Sequence, residues 1–384
     1  MKCLLHMAGL ALLGMLSRSC VEPYYPDIEA YENLLVVDGL LTNGQDPCLV
    51  RLSRTSAYDG FQNVPVTEAV VAILDDLGTV FSLEEGLPGQ YLTDPARFTG
   101  VPGRSYQIHI VLSDGSAYES DFMLLRDVPP VEALEARYER REMEESGTYC
   151  DGIQIYLNTS DPSRLTRYYR WEWEETWEFT VPMQAPEKAE LFRCWKSGSS
   201  RSIMIGTSEQ LTEDRIIDFP LHYVEAGSNR LRILYSLLVR QYAESPAAYD
   251  FWKMQKDMSE RGGTLFDPIP AAIPGNIYSL SDPDEMVLGL FDASGVSTRR
   301  IFIDPELLPP QVDVPTDFEF CRFQVLQDAS AADLNHLLSS GWIYVDEYDD
   351  MNHLVVRLTN HTSCFDCTRT GTNAKPEFWP DHEK

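Results

Sequence analysis

Arg167-Tyr168-Tyr169-Arg170-Trp171-Glu172-Trp173-Glu174-Glu175-Thr176-Trp177-Glu178-Phe179-Thr180-Val181 is the stretch that decides the fold class. Tyr169, Trp171, Trp173, Trp177, Phe179 and Val181 share one parity, while Arg170, Glu172, Glu174 and Glu178 share the other. Successive side chains of a strand point to opposite faces, so this alternation predicts a strand with aromatics on one side and water on the other. An apolar face of that length needs a second layer over it, which makes a sandwich or barrel core the expectation. The same row of rings also admits an aromatic platform for a sugar or peptide ligand.

Outward from this strand the texture stays β-rich. Residues 229–242 read as a second long strand, with Leu231, Ile233, Tyr235, Leu237 and Val239 on one face. Ser245-Pro246 is an N-cap followed by proline at the first helical position. A helix is predicted over 247–258, its Ala248, Phe251, Trp252 and Met258 packing on the sheet and Gly262-Gly263 stopping it. Strands are expected over 286–291 and 300–303 around a turn at 292–298, a short helix over 330–338, and last strands over 342–345 and 353–358. On the N-terminal side, short strands with turn residues between them crowd into 34–127, the pattern of a small Ig-like β-sandwich. Asp127-Val128-Pro129-Pro130 is a stiff linker, because prolines cannot continue a strand ladder. The expected fold is mainly β: an Ig-like sandwich at 34–127, then a larger β-sandwich or barrel-like domain at 128–384 with one or two short helices and a Cys-x-x-Cys tail.

Residues 1–19 read as a signal peptide, with Lys2 before an apolar core too short to span a bilayer, which takes ~20 apolar residues. Leu16-Ser17-Arg18-Ser19-Cys20 resembles a bacterial lipobox, although Leu16 stands one place too far from the cysteine and Arg18 intrudes. Cys20 is therefore the expected lipidation site, and 20–33, with Pro23 and Pro26, the expected tether. The net charge of -29 repels phosphate backbones and argues against nucleic-acid binding.

Cys48, Cys150, Cys194, Cys321, Cys364 and Cys367 form an even set, which in an exported chain points to disulfides with fifteen possible connectivities. The preferred partners for the tail cysteines are Cys194 and Cys321. His353, His361, Cys364 and Cys367 also admit a zinc site, and Cys364-x-x-Cys367 a redox pair, but loop residues follow it where a redox motif wants a helix N-terminus. The clusters Asp282-Pro283-Asp284-Glu285, Asp346-Glu347 and Asp349-Asp350 admit calcium and read more simply as wet turns. No nucleophile elbow, zincin or P-loop motif occurs, so no catalytic residue, metal or cofactor is expected.

The leader, Leu35-Val36-Val37-Asp38-Gly39-Leu40, Gly275-Asn276-Ile277, Asp282-Pro283, Val287-Leu288-Gly289-Leu290-Phe291 and the tail motif Cys364-x-x-Cys367…Gly371…Lys375-Pro376-x-Phe378-Trp379 together resemble an uncharacterised lipoprotein family of Bacteroidetes, domain-of-unknown-function family 4249. The tail departs from it by carrying Thr370-Gly371-Thr372 where the family has a Gly-Gly pair. The resemblance implies a lipoprotein anchored in the outer membrane, on a face left open, beside a TonB-dependent transporter, and it supplies no catalytic residues. An accessory or binding role is thus expected; a metal-dependent extracytoplasmic hydrolase acting on polymers and a purely structural envelope protein are the alternatives.

Overall fold

The computed structural model describes residues 33–55, 64–143, 147–261, 273 and 275–381. The signal peptide at 1–19, Cys20, all of the tether but Asn33, and the Gly262-Gly263 stop lie outside them.

The N-terminal half begins with β1 (Leu35–Thr42) and β2 (Leu49–Arg54), an antiparallel pair. Facing it is a sheet of β3 (Val70–Asp75), β4 (Ser105–Val111) and β5 (Ala117–Ser120). Alternation places Leu35, Val37 and Leu41 of β1 against Ile73, Ile108 and Ile110 of the facing sheet, all nearly inaccessible to solvent. Asp75 makes the turn after β3, its Oδ1 accepting from the amides of Leu77 and Thr79 at 2.9 and 2.8 Å.

The larger unit is a second sandwich. One layer is β6 (Val131–Glu142), β7 (Tyr149–Ser160) and β10 (Arg215–Glu225); the other is built on β8 (Tyr168–Thr180), flanked by β9 (Arg193–Ser199) and β11 (Tyr235–Ala243). Tyr169 and Trp171 of β8 fill its core as the sequence predicts, with Leu237 and Val239 of β11 beside them. The strand expected over 229–242 starts late. Residues Asn229–Leu231 form a 3-10 turn instead, because Asn229 and Arg230 turn aside to bond Asp317 and Glu175. Helix α1 (Pro246–Arg261) follows, with Ser245 Oγ accepting from the Ala248 amide at 3.0 Å.

The chain then returns to the first sandwich, which the boundary expected at 127 does not anticipate. Strand β12 (Ile277–Ser279) pairs with β5, and β13 (Leu288–Ser294) lies parallel to β1. After Gly295 the same run continues as β14 (Val296–Ile303), now paired with β11 in the second sandwich. A strand thus occupies the place of the turn expected at 292–298. Gly289 permits the close seat on β1: it has φ +98°, and a Cβ there would lie 1.9 Å from the Val37 carbonyl oxygen. Asn276 secures the other side, its Nδ2 donating to the Phe291 carbonyl and its Oδ1 accepting from the Phe291 amide.

A fifth, small sheet is made of β15 (Phe323–Gln327), β16 (Ile343–Asp350) and β17 (His353–Thr359), with α2 (Ala331–Ser339) between its first two strands in the chain and Ser330 and Asp333 forming a capping box there. The fold is mainly β, with two α-helices among the described residues. Every sheet has free ends, so there is no closed barrel and the barrel-like alternative falls away.

Disulfides join Cys194 to Cys367 and Cys321 to Cys364, around a small core with Phe179 and Phe318. Both tail cysteines are thereby consumed, which removes the thiolates that the zinc and redox alternatives need. Cys48 and Cys150 correct the six-cysteine expectation: both are free. Cys48 is packed in the first sandwich, where burial pushes its thiol up to about 12, and Cys150 lies on β7 of the second, so the two cannot approach to the ~6 Å between Cα atoms that a bridge requires. Replacing Cys194 and Cys367 together by alanine is expected to lower stability by about 2–5 kcal/mol, since the bond closes a loop of 173 residues. Urea unfolding of the oxidised protein against the double variant measures the loss.

Candidate functional site

The outer face of β8, expected to be wet, is covered at both ends. Near its C-terminal end the tail folds over Glu178, and Trp379 Nε1 donates to Glu178 Oε2 at 3.0 Å. Near its start Arg170 is buried beneath α1. Between them Glu172, Glu174, Arg240 and Arg300 remain partly open. Charged side chains at strand parity hid this, because the pattern is the same whether water or another layer lies above.

Arg170 is the centre of the covered end. Its Nε donates to Glu244 Oε1 at 2.7 Å, another of its nitrogens pairs with Glu172, and its guanidinium lies 4.4 Å from the Tyr242 ring centroid and 4.7 Å from that of Trp252. Local structure places each partner. Tyr242 sits directly across the β8–β11 ladder from Arg170; Glu244 follows the end of β11; Ser245 then starts α1 and swings Trp252 over the cation. Asp292 comes from β13, opposite Leu40, and stands close enough to Glu244 for its charge to act on it, while accepting from Ser294 Oγ at 2.6 Å. Arg170, Glu244 and Asp292 are 5%, 1% and 4% exposed, so this contact between the two sandwiches is dry.

Two carboxyls and one guanidinium in such a place cannot all be charged without strain. Burial, reinforced by the charge of Asp292, raises the Glu244 carboxyl well above its ordinary range, and Arg170 pulls the other way without overcoming them. The buried Oε2 of Glu244 accepts from no donor among the described residues. Burial works against the Arg170 charge, but Glu244 and Glu172 outweigh that penalty and hold the guanidinium above its ordinary value.

A cleft of about 600 Å³ opens beside this network, walled by β1 and its following loop on one side and by β8, β11 and Trp252 on the other. It leads into a shallower chamber of about 370 Å³, and Arg51, Arg170, Glu172, Arg240 and Trp252 line both. Arrayed donors, acceptors and ring faces suit it to holding a polar small molecule. Among the described residues no group of three or more His, Cys, Asp or Glu is placed to hold a metal ion.

The other candidates have structural partners. Trp171 of the suggested aromatic platform is buried in the core, while Trp173 stacks against His222 at 3.9 Å. Glu285 accepts from Tyr118 at 2.8 Å, Asp282 caps a turn at the Asp284 amide, Asp346 pairs with Arg357, and Asp349 holds the hairpin turn at the Asn352 amide. His361 bonds Ser363 and His353 pairs with Asp328. Sequence reasoning missed Glu244, Asp292 and Arg240. A lone aspartate inside the apolar run 288–294 was the one available signal.

Arg170→Ala is expected to cost about 3–5 kcal/mol of stability at neutral pH, because it strips buried carboxyls of their cation. Glu244→Gln, which mimics the protonated acid, is expected to cost about 1 kcal/mol or less. Above pH 4.5 the folded chain holds a proton on Glu244 that the unfolded chain has released, so this contribution is complete below that pH and declines as pH rises toward the folded value. Urea unfolding from about pH 5 to about pH 9 should show that decline in the native sequence and lack it in Glu244→Gln.

No curated protein matches the chain. Among solved structures it is similar to one described as "Biofilm associated protein - BSP domain", at 7% identity, covering 72% of this chain and 62% of that one, with a TM-score of 0.12. An overlap that poor bears on neither fold nor function. The sequence profile described as "Domain of unknown function (DUF4249)" matches residues 21–300, from the tether to the middle of β14, and stops short of the cysteine tail that carried much of the resemblance. Over most of its length, and over every strand that walls the cleft, the chain belongs to domain-of-unknown-function family 4249.

Proposed function

We propose that this protein is an envelope-anchored binding lipoprotein of a Bacteroidetes outer membrane, holding a small molecule in the cleft between its sandwiches and working beside a TonB-dependent transporter. The observation that carries the binding role is where the cleft lies. It is walled from both sandwiches at the seam where one continuous run of chain joins them, so its shape exists before a ligand arrives. Disulfides at the tail suit an oxidising compartment. Among the described residues no helix is long and apolar enough to cross a membrane, and in this reading acylated Cys20 provides the attachment.

Expression of the full chain with its leader in a Bacteroidetes host tests the proposal. The native sequence is expected in the outer-membrane fraction, and Cys20→Ala in the soluble fraction. A pull-down from detergent-solubilised envelope is expected to recover a TonB-dependent transporter as the main partner. Recovery of the native chain in the cytosol with reduced Cys194 and Cys367 would sink the proposal, as would a pull-down without any transporter.

A further inference from the structure

Counting donors against acceptors around the cleft separates its groups into two sets. Its carboxylates are engaged. Asp38 accepts from Arg51 at 3.1 Å, Glu172 accepts from Arg170 and from Tyr242, and Asp292 accepts from Ser294. Among the described lining residues only Asp46 stands apart, exposed on the rim. The donors are in excess. The Trp252 indole N–H is buried and meets no acceptor, although Trp252 lines both chambers.

Arg240 lines the same two chambers, and among the described residues its one carboxylate contact, Glu174, is long at 3.5 Å. On the neighbouring strand Arg300 donates to Ser236 Oγ at 2.9 Å and lies 3.5 Å from the Phe378 ring centroid. Burial pushes the Arg300 guanidinium down, the charge of Glu174 pulls it back, and the charge of Arg240 adds a smaller push down. The smaller chamber is lined by four arginines, Arg51, Arg170, Arg201 and Arg240, against two carboxylates, Glu172 and Glu174, a local reversal of sign in a chain with 60 acidic and 31 basic residues. Arginine, with its flat fork of N–H groups, is the side chain whose geometry matches a carboxylate bidentately.

We propose that the cleft holds its ligand by a carboxylate, received by the Arg240 guanidinium and the Trp252 indole N–H. The ligand is a small molecule on the scale of a disaccharide or short peptide, as the 600 Å³ chamber allows. This inference rests on the binding role proposed above and narrows it to one chemical class.

Calorimetry on the full mature chain with paired probes tests it: glucuronate against glucose, and triglycine against triglycine amide, each at millimolar concentration. The acid of at least one pair should bind and its neutral partner should not, and the pair that responds tells a sugar acid from a peptide terminus. Arg240→Gln should weaken binding by about tenfold or more, and Trp252→Phe, which removes only the N–H donor, by severalfold. Acid and neutral partners binding alike, or variants without effect, would overturn the carboxylate while leaving the binding role standing. Silence from all four probes would overturn both.

Discussion

One run of backbone, Leu288 to Ile303, is a strand of both sandwiches, and the arrangement of everything else follows from it. Its first half is held parallel to β1 and its second half antiparallel to β11, with Gly295 as the step between. Gly295 donates to the Arg126 carbonyl at 3.0 Å, so the outgoing linker and the returning strand meet at the same point. A joint made of two crossing backbones is stiffer than a single linker, because neither can rotate without breaking ladder hydrogen bonds. The cleft lies against this joint, and Asp292 projects from it to the Glu244–Arg170 pair.

The charged face of β8 shows how burial is managed here. At one end burial and the charge of Asp292 hold the Glu244 carboxyl well above its ordinary range. On the inner face Glu175 takes the other course. Burial would raise it, yet His222 at 3.5 Å, the charge of Arg230 and the Tyr235 hydroxyl together hold it below the ordinary carboxylate value. Identical residue types are therefore shifted in opposite directions according to the company each keeps. The Glu175 cluster loses its contribution to stability as pH falls below 4.5, whereas Glu244 loses its contribution as pH rises above that value, so the two favour opposite sides of it.

Local signals carried much of the fold. Alternation along β8, the Ser245-Pro246 start of α1 and the Ser330 cap of α2 are decided by neighbours within a few residues, and each stands where its pattern places it. The return of β12 and β13 to the first sandwich is a long-range choice, and an apolar run does not state which sheet it joins. Gly275-Asn276 and Gly289 held the clue, but their meaning lies in contacts with Phe291 and Val37 that only the folded chain reveals. The cleft was hidden for the same reason. Its waist residues Arg51, Glu172, Arg240 and Trp252 come from four separate elements and share no motif.

The return of β13 to β1 also sets a schedule. A polypeptide emerging N-terminus first, from a ribosome or through a membrane pore, presents β1 more than two hundred residues before its parallel neighbour. Until that neighbour appears, one flank of β1 is an open edge lined with Val36, Asp38 and Leu40, able to pair with another copy. The second sandwich waits longer still, because Cys194 must stay reduced until Cys367 arrives. Whatever escorts the nascent chain therefore has to guard both a bare β-edge and a lone thiol over most of its length.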